Sequence, residues 1–318
     1  MGQGCGQALD VEEQTALTNA IPMNNEEDSS MNKRLMPYYL MTVPAVVLFF
    51  VFLTLPALQG VYYSFTNWNG FGDHYDFIGI KNYVNLFKDG NVGNAYWFTF
   101  KFAVVVTILI NILSLLIAMG LNAKIKARNF FRGIYFLPNI LSVLIVGYIF
   151  NYLFSNVFTI WGQNLGIGWL STNLLGSEQH AWIGIVIVAV WQGVAYNTIL
   201  YLAGLQTIPG TLYEASNLDG ANRWQEFWKI TFPLIAPFFT INMVLAMKNS
   251  LMVFDQIVAL TNGGPGRATQ SISHLIYTGG FEGGEFAYQS ANSVIYFILI
   301  AAVSIAQIRF LQGREAEM

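Results

Sequence analysis

Six long apolar runs constrain this chain more than any other feature, falling at roughly 38–63, 97–121, 131–155, 181–207, 233–260 and 288–311 of its 318 residues. A helix needs about 20 mostly apolar residues to cross the hydrocarbon of a bilayer, and every run reaches that length. The first reads PYYLMTVPAVVLFFVFLTLPAL and the last YQSANSVIYFILIAAVSIAQIRF. Neither alternates as the short strands of a membrane barrel do. Only 10% of the residues are charged, against about 25% in soluble domains. The expected fold is therefore all-α and integral to the membrane, with six transmembrane helices.

Basic residues set the expected orientation. An inside N-terminus leaves Lys33, Arg34, Lys124, Lys126, Arg128, Arg132, Arg223, Lys229, Arg309 and Arg314 on the cytoplasmic side, and only Lys81, Lys88 and Arg267 outside. Ten against three, with an even number of spans, places both termini in the cytoplasm. Residues 1–35 carry six acids and no base before Lys33, unlike a secretory signal with its positive start, and read as a disordered cytoplasmic tail. A transmembrane body over 36–312 and a short cytoplasmic tail over 313–318 complete the expected organisation. A net charge of −3 offers no basic field for nucleic acid, the lone Cys5 makes no internal disulfide, and His74, His180 and His274 are too scattered for a metal site.

Between the fourth and fifth runs lies IPGTLYEASNLDGANRWQEFWKITF, residues 208–232. It is longer than most helix connections and has its own punctuation. Pro209-Gly210 ends the fourth span, TLYEASNL forms two helical turns, and Asp219-Gly220 breaks the chain where glycine takes a positive φ without steric cost. A second short helix, NRWQEFWKI, then leads to Pro233, expected to open the fifth span. Leu212, Ala215 and Leu218 share a helical face, as do Trp224, Phe227 and Trp228. So short a segment is marginal alone in water; it either lies on the membrane surface or docks into a cytoplasmic partner.

Glu214-Ala215-Ser216, Asp219-Gly220-Ala221 and Ile230, Phe232 and Pro233 resemble the EAA motif of binding-protein-dependent ABC importer permeases. Ser216 stands for the usual second alanine and Phe232 for a common leucine. Phe254-Asp255-Gln256-Ile257-Val258, followed by Leu260-Thr261-Asn262-Gly263-Gly264-Pro265 and Thr269, is similar to the carbohydrate-uptake branch, in particular to the larger maltose permease subunit. The resemblance covers residues 33–312 but lacks that subunit's large extracytoplasmic insertion, since 64–96 is short. It implies a type I ABC importer permease fold in a bacterial inner or plasma membrane, whose coupling helix carries Glu214, Ala215, Ser216, Asp219, Gly220 and Ala221. It further implies a second homologous permease subunit, two ATP-binding subunits that hold the ATP and Mg, and an extracytoplasmic sugar-binding protein met by Gly263, Gly264 and Pro265. No cofactor is expected on this chain.

Polar residues within a span are costly and usually face a cavity or a neighbouring helix. The fourth run holds Trp191, Gln192, Gly193, Tyr196 and Asn197, and the fifth Asn242, Lys248, Asn249, Ser250 and Asp255. Amides, hydroxyls and aromatic rings suit a hydroxyl-rich solute, with Gly193 leaving room beside them; the competing reading is glue between helices. The resemblance implies substrate contact at Gln192, Gly193, Tyr196, Ala246, Asn249, Ser250 and Val253. Lys248 is a further pathway candidate, costing about 2.5–3.5 kcal/mol at a helix centre, with Asp255 two turns further along one face. The GGPG of 263–266 and GGFEGGE of 279–285 are flexible linkers or loops reaching for the binding protein. No G-x-x-x-x-G-K-[ST] phosphate loop occurs, nor H-E-x-x-H or G-x-S-x-G, which argues against ATP hydrolysis by this chain and against a membrane enzyme. An ATP-independent sugar carrier is the remaining rival, and it has no use for the 208–232 segment.

Overall fold

The computed structural model describes residues 25–123, 126–168 and 171–315. The expected tail lies largely outside these, as do Lys124 and residues 316–318. The chain divides between Gln59 and Gly60 into two compact units. The first is helical among its described residues: α1 (Asn25–Phe49) passes through a π-helical turn (Phe50–Thr54) into a further helical stretch (Leu55–Tyr63), within which the division falls. Its start at Asn25 puts helix where the sequence suggested a disordered tail.

The second unit begins with a short helix, α2 (Lys81–Leu86), and then α3 (Gly90–Asn122). Asp89 caps α3 by accepting a hydrogen bond from the Asn91 amide at 2.9 Å. At 33 residues α3 is about 50 Å long, so it extends past the hydrocarbon it crosses. Then follow α4 (Arg128–Ile140), α5 (Val143–Leu165), α6 (Ala181–Gln206), α7 (Gly210–Leu218) and α8 (Arg223–Leu251). The last are α9 (Asp255–Leu260), α10 (Ile272–Tyr277) and α11 (Phe286–Glu315). Six helices are long and apolar enough to span a membrane, and no strand occurs among the described residues. The chain is a multi-pass membrane protein.

Three boundaries differ from expectation. The third run is not one helix, because Leu141 and Ser142 are extended, with ψ of 139° and 133°. A window over 131–155 averages a short helix ending near Pro138 with the apolar α5 and hides the break. The fifth span begins at Arg223 rather than Pro233 and ends at Leu251 rather than 260. Pro233 has no N–H for the Lys229 carbonyl. A π turn over Phe227–Thr231, closed by the Phe232 amide on the Phe227 carbonyl, carries the helix past it. The same device precedes Pro56, where the Leu55 amide reaches the Phe50 carbonyl. Finally, α11 runs through residues 313–315, assigned from sequence to a tail.

Lipid tails are as apolar as leucine, so spans associate through close packing and interhelical hydrogen bonds rather than through escape from water. The α3–α6–α8 core follows that rule. Ala103, Thr107, Ser114 and Ala118 of α3 are fully buried. A Cβ at Gly204 of α6 would meet the Phe238 ring at 2.7 Å, so this glycine lets α8 approach. Deep in the bundle, the Tyr201 hydroxyl donates to Asn111 Oδ1 at 2.6 Å.

Candidate functional site

Both breaks in the helices border one cavity of about 310 Å³, at the lower end of the range for small-molecule sites. Gln192, Gly193, Tyr196 and Asn197 of α6 face it, together with Ala246, Asn249 and Ser250 of α8 and Val253 beyond the end of α8. Phe102, Val106 and Ile110 of α3 close another wall. Sequence reasoning missed Asn139, next to the α4–α5 break, and Gln256, just inside α9, both of which also line it. Their signal was present as a Pro138-Asn139 pair and a glutamine within apolar surroundings.

Irregular backbone at membrane depth is tolerated where other groups re-satisfy it. Here the carbonyls freed beyond α8 are met individually. The Tyr296 hydroxyl donates to the Leu251 carbonyl, and Ser271 Oγ to the Val253 carbonyl at 2.8 Å. Asn151 Nδ2 donates to the Leu260 carbonyl at 2.6 Å, completing the end of α9. The break is thus a held shape, and it turns Val253 and Gln256 toward the cavity.

Several expected residues take other parts. Gly193 borders the cavity, but the space beside it is filled: a Cβ there would collide with Ile110 Cδ1. Its smallness admits α3, not a solute. Trp191 lies against Phe150, with ring centroids 5.4 Å apart, and lines a separate apolar recess of about 640 Å³ with Leu113 and Val190. Asn242 is buried away from the cavity, its amide donating to the Phe238 carbonyl one turn back in α8 at 3.0 Å. Lys248 is exposed and does not line the cavity. At about 100° per residue, it lies some 150° around α8 from the centre of the arc holding Ala246, Asn249 and Ser250. Asp255 is exposed as well and belongs to α9, so no single helical face joins it to Lys248.

The segment between α6 and α8 forms an elbow. Pro209 is extended and α7 follows at once. Gly220 has φ of +74° with open space where a Cβ would sit, so its conformation, not crowding, requires glycine. The Ala221 amide bonds the Ser216 carbonyl at 3.0 Å across the turn. Ser216 is the one residue of α7 buried in the chain, and Tyr213 below it shares a 3.1 Å hydrogen bond with Thr231. Everything else that matters points out: Glu214, Ala215 and Asp219 are exposed, and Leu218 is 89% exposed. Arg223 to Thr231 are not a second freestanding helix but the first turns of α8, started by an Asn222–Gln225 capping box. Trp224 and Trp228 are exposed there, where interfacial tryptophans anchor a span.

The loop after α9 is not a flexible linker. Thr269 Oγ1 donates to the Gly264 carbonyl at 2.6 Å, its hydroxyl pairs with that of Thr261 at 2.8 Å, and the Thr269 amide reaches the Gly263 carbonyl at 3.2 Å. Gly263 is buried at φ +80°, and a Cβ there would meet His274 Cε1 at 2.8 Å. Gly264 and Pro265 are half-buried. His274 holds Asn262 Oδ1 through Nε2 at 3.2 Å, and its burial lowers its pKa, only partly opposed by Glu282.

Comparison with known proteins finds relatives along most of the chain. Residues 110–314 match the model of the binding-protein-dependent transport system inner membrane component family. The chain is 42% identical to the probable starch degradation products transport system permease protein of Thermoanaerobacterium thermosulfurigenes, covering 88% of this chain and 96% of that one. It is 41% identical to the multiple sugar-binding transport system permease protein of Streptococcus mutans, over 83% and 91%. It is 31% identical to an sn-glycerol-3-phosphate transport system permease protein of Escherichia coli, over 87% and 94%. A solved bacterial ABC transporter that imports the acidic polysaccharide alginate has the same fold, with a TM-score of 0.76 and 23% identity over 92% of this chain and 99% of that one.

Proposed function

This chain belongs to the family of inner membrane components of binding-protein-dependent transport systems, and we propose that it is one of two permease subunits of an ATP-driven sugar importer. Partner ATP-binding subunits supply the power, and a sugar-binding protein delivers cargo to the opposite face. The observation that carries the reading is the elbow. A nine-residue helix is marginal alone in water, yet α7 turns Leu218 and Glu214 away from its own chain. A cleft in an ATP-binding subunit would cover the leucine and pair the carboxylate. The basic residues beside the elbow support a cytoplasmic position for it.

The elbow joins α6 to α8, and these helices carry most of the polar wall of the cavity. A push on α7 therefore reaches the cavity through two rigid elements, as alternating access requires. ATP binding closes the ATP-binding pair, the elbow moves, and the cavity opens outward to accept sugar. Hydrolysis reverses the motion and releases the sugar inward. Loop 261–270, braced by its own hydrogen bonds, offers a firm surface to the binding protein.

The test is purification of the chain with whatever accompanies it, followed by reconstitution in proteoliposomes. The expected result is co-purification of a second permease and an ATP-binding chain, with hydrolysis stimulated by loaded binding protein. Sugar uptake by this chain alone on an ion gradient would sink the proposal.

A further inference from the structure

We infer that the cavity accepts uncharged, hydroxyl-rich solutes and rejects carboxylated or phosphorylated ones, an inference that rests on the importer reading above. Relatives on this fold are named for both kinds of cargo, including sn-glycerol 3-phosphate and the acidic polysaccharide alginate. Fold alone therefore does not set the charge of the cargo; the lining does.

Among the described residues, no Lys, Arg, His, Asp or Glu lines the cavity. Its polar wall is built from the amides of Asn139, Gln192, Asn197, Asn249 and Gln256 and the hydroxyl of Ser250, with Tyr196 beside them. Gln192 and Asn197 are 8% and 4% exposed, and Gln192 Oε1 and Asn197 Oδ1 have no hydrogen-bond partner in the chain. The orientation of Asn197 is fixed, because only its NH₂ can serve the Gly193 carbonyl, which it does at 2.8 Å. Its oxygen is therefore left as a buried, unpartnered acceptor just behind the cavity lining.

A sugar hydroxyl can both donate to and accept from the amides and hydroxyls of such an uncharged wall. An ionised carboxylate or phosphate is acceptor-only and would also bring an unpaired charge into a low-dielectric site. The basic residues placed within spans do not relieve this. Lys248 lies on the far side of α8, and the Lys101 ammonium sits 4.0 Å over the Trp182 ring, engaged as a cation–π pair.

The second half of the pathway belongs to another chain, so the test uses the complete purified assembly without its binding protein, which would otherwise impose its own choice. Maltotriose, mannotriose and trigalacturonate are titrated calorimetrically. The expected result is that one or both neutral trisaccharides bind at least about tenfold more tightly than the uronate. Asn249→Lys should shift the ratio toward trigalacturonate by about tenfold, with Gln256→Lys as the second variant should the first fail to assemble. Equal or tighter uronate binding by the unmodified assembly overturns the inference and leaves the importer reading standing. If no trisaccharide binds and no sugar delivered by the binding protein stimulates hydrolysis, both fall.

Discussion

The elbow before the fifth span and the loop after α9 solve the same bending problem in opposite ways. The elbow from Pro209 to Asn222 turns through Gly220 at φ +74°, with open space where a Cβ would sit, and leaves Leu218 89% exposed. The loop from Thr261 to Ser271 turns through Gly263 at φ +80°, but against His274, with Thr269 bonded into its centre. One loop is incomplete within this chain and the other saturates itself. The open loop suits the partner proposed to dock on it, whereas the loop that holds the end of a broken span is tied down locally.

That contrast is broken most readily at the two glycines. Gly220→Pro forces φ to about −65°, where the elbow needs +74°. The Gly220 amide bonds the Asn217 carbonyl at 3.2 Å, but nothing packs where its Cβ would sit, so the damage should stay within the elbow, with normal insertion and a melting temperature close to that of the unmodified chain. Sugar-stimulated ATP hydrolysis of the assembly should fall more than about tenfold, the size of change that misplacing a positioned element produces. Retained stimulation would show that the elbow does not transmit force. Gly263→Val should do the reverse. Strain at positive φ and the collision with His274 cost about 1–3 kcal/mol, read as a lowered melting temperature of this subunit in detergent. If both variants lose stability equally, the distinction between an open and a saturated loop is wrong.

Both glycines could be found in the sequence because turn chemistry is local: Asp-Gly between two helical patterns and Asn-Gly-Gly-Pro after an apolar run declare a bend wherever they fall. The six spans were readable for a related reason, since length and apolarity alone decide them. The breaks were not. Leu141-Ser142 and Met252-Val253-Phe254 are sequences a helix tolerates, and at the second of them the Leu251 and Val253 carbonyls are taken by the distant hydroxyls of Tyr296 and Ser271. The cavity suffered accordingly. Gln192, Asn249 and Ser250 were found by residue type, Asn139 and Gln256 were missed with the breaks that carry them, and Gly193 was given the wrong neighbour because a sequence does not say what fills the space beside a glycine. Lys248 was a lesser failure: helical projection alone places it opposite Ala246, Asn249 and Ser250, so periodicity held an answer that residue type obscured.

The smallest expected effect concerns the brace itself. His274 is buried, its Nε2 is bonded to Asn262 Oδ1, and its Nδ1 is buried with no partner among the described residues. Nε2 therefore carries the proton of the neutral ring, and a second proton would have to sit on Nδ1 with nothing to receive it. Burial lowers the folded-state pKa, with Glu282 opposing in part, so the unfolded chain takes up the proton first. Stability is then complete above the ordinary histidine value of about 6.5 and is lost as pH falls below it. A single proton limits the slope to about 1.4 kcal/mol per pH unit. The measurement is melting temperature between pH 8 and pH 5, roughly bracketing that value, in the unmodified chain and in His274→Gln, whose amide can still donate to Asn262. The expected outcome is a fall on the acid side that the variant largely abolishes, with elbow function unaffected. An identical fall in both would remove His274 from the brace and leave the threonine pair to hold the loop alone.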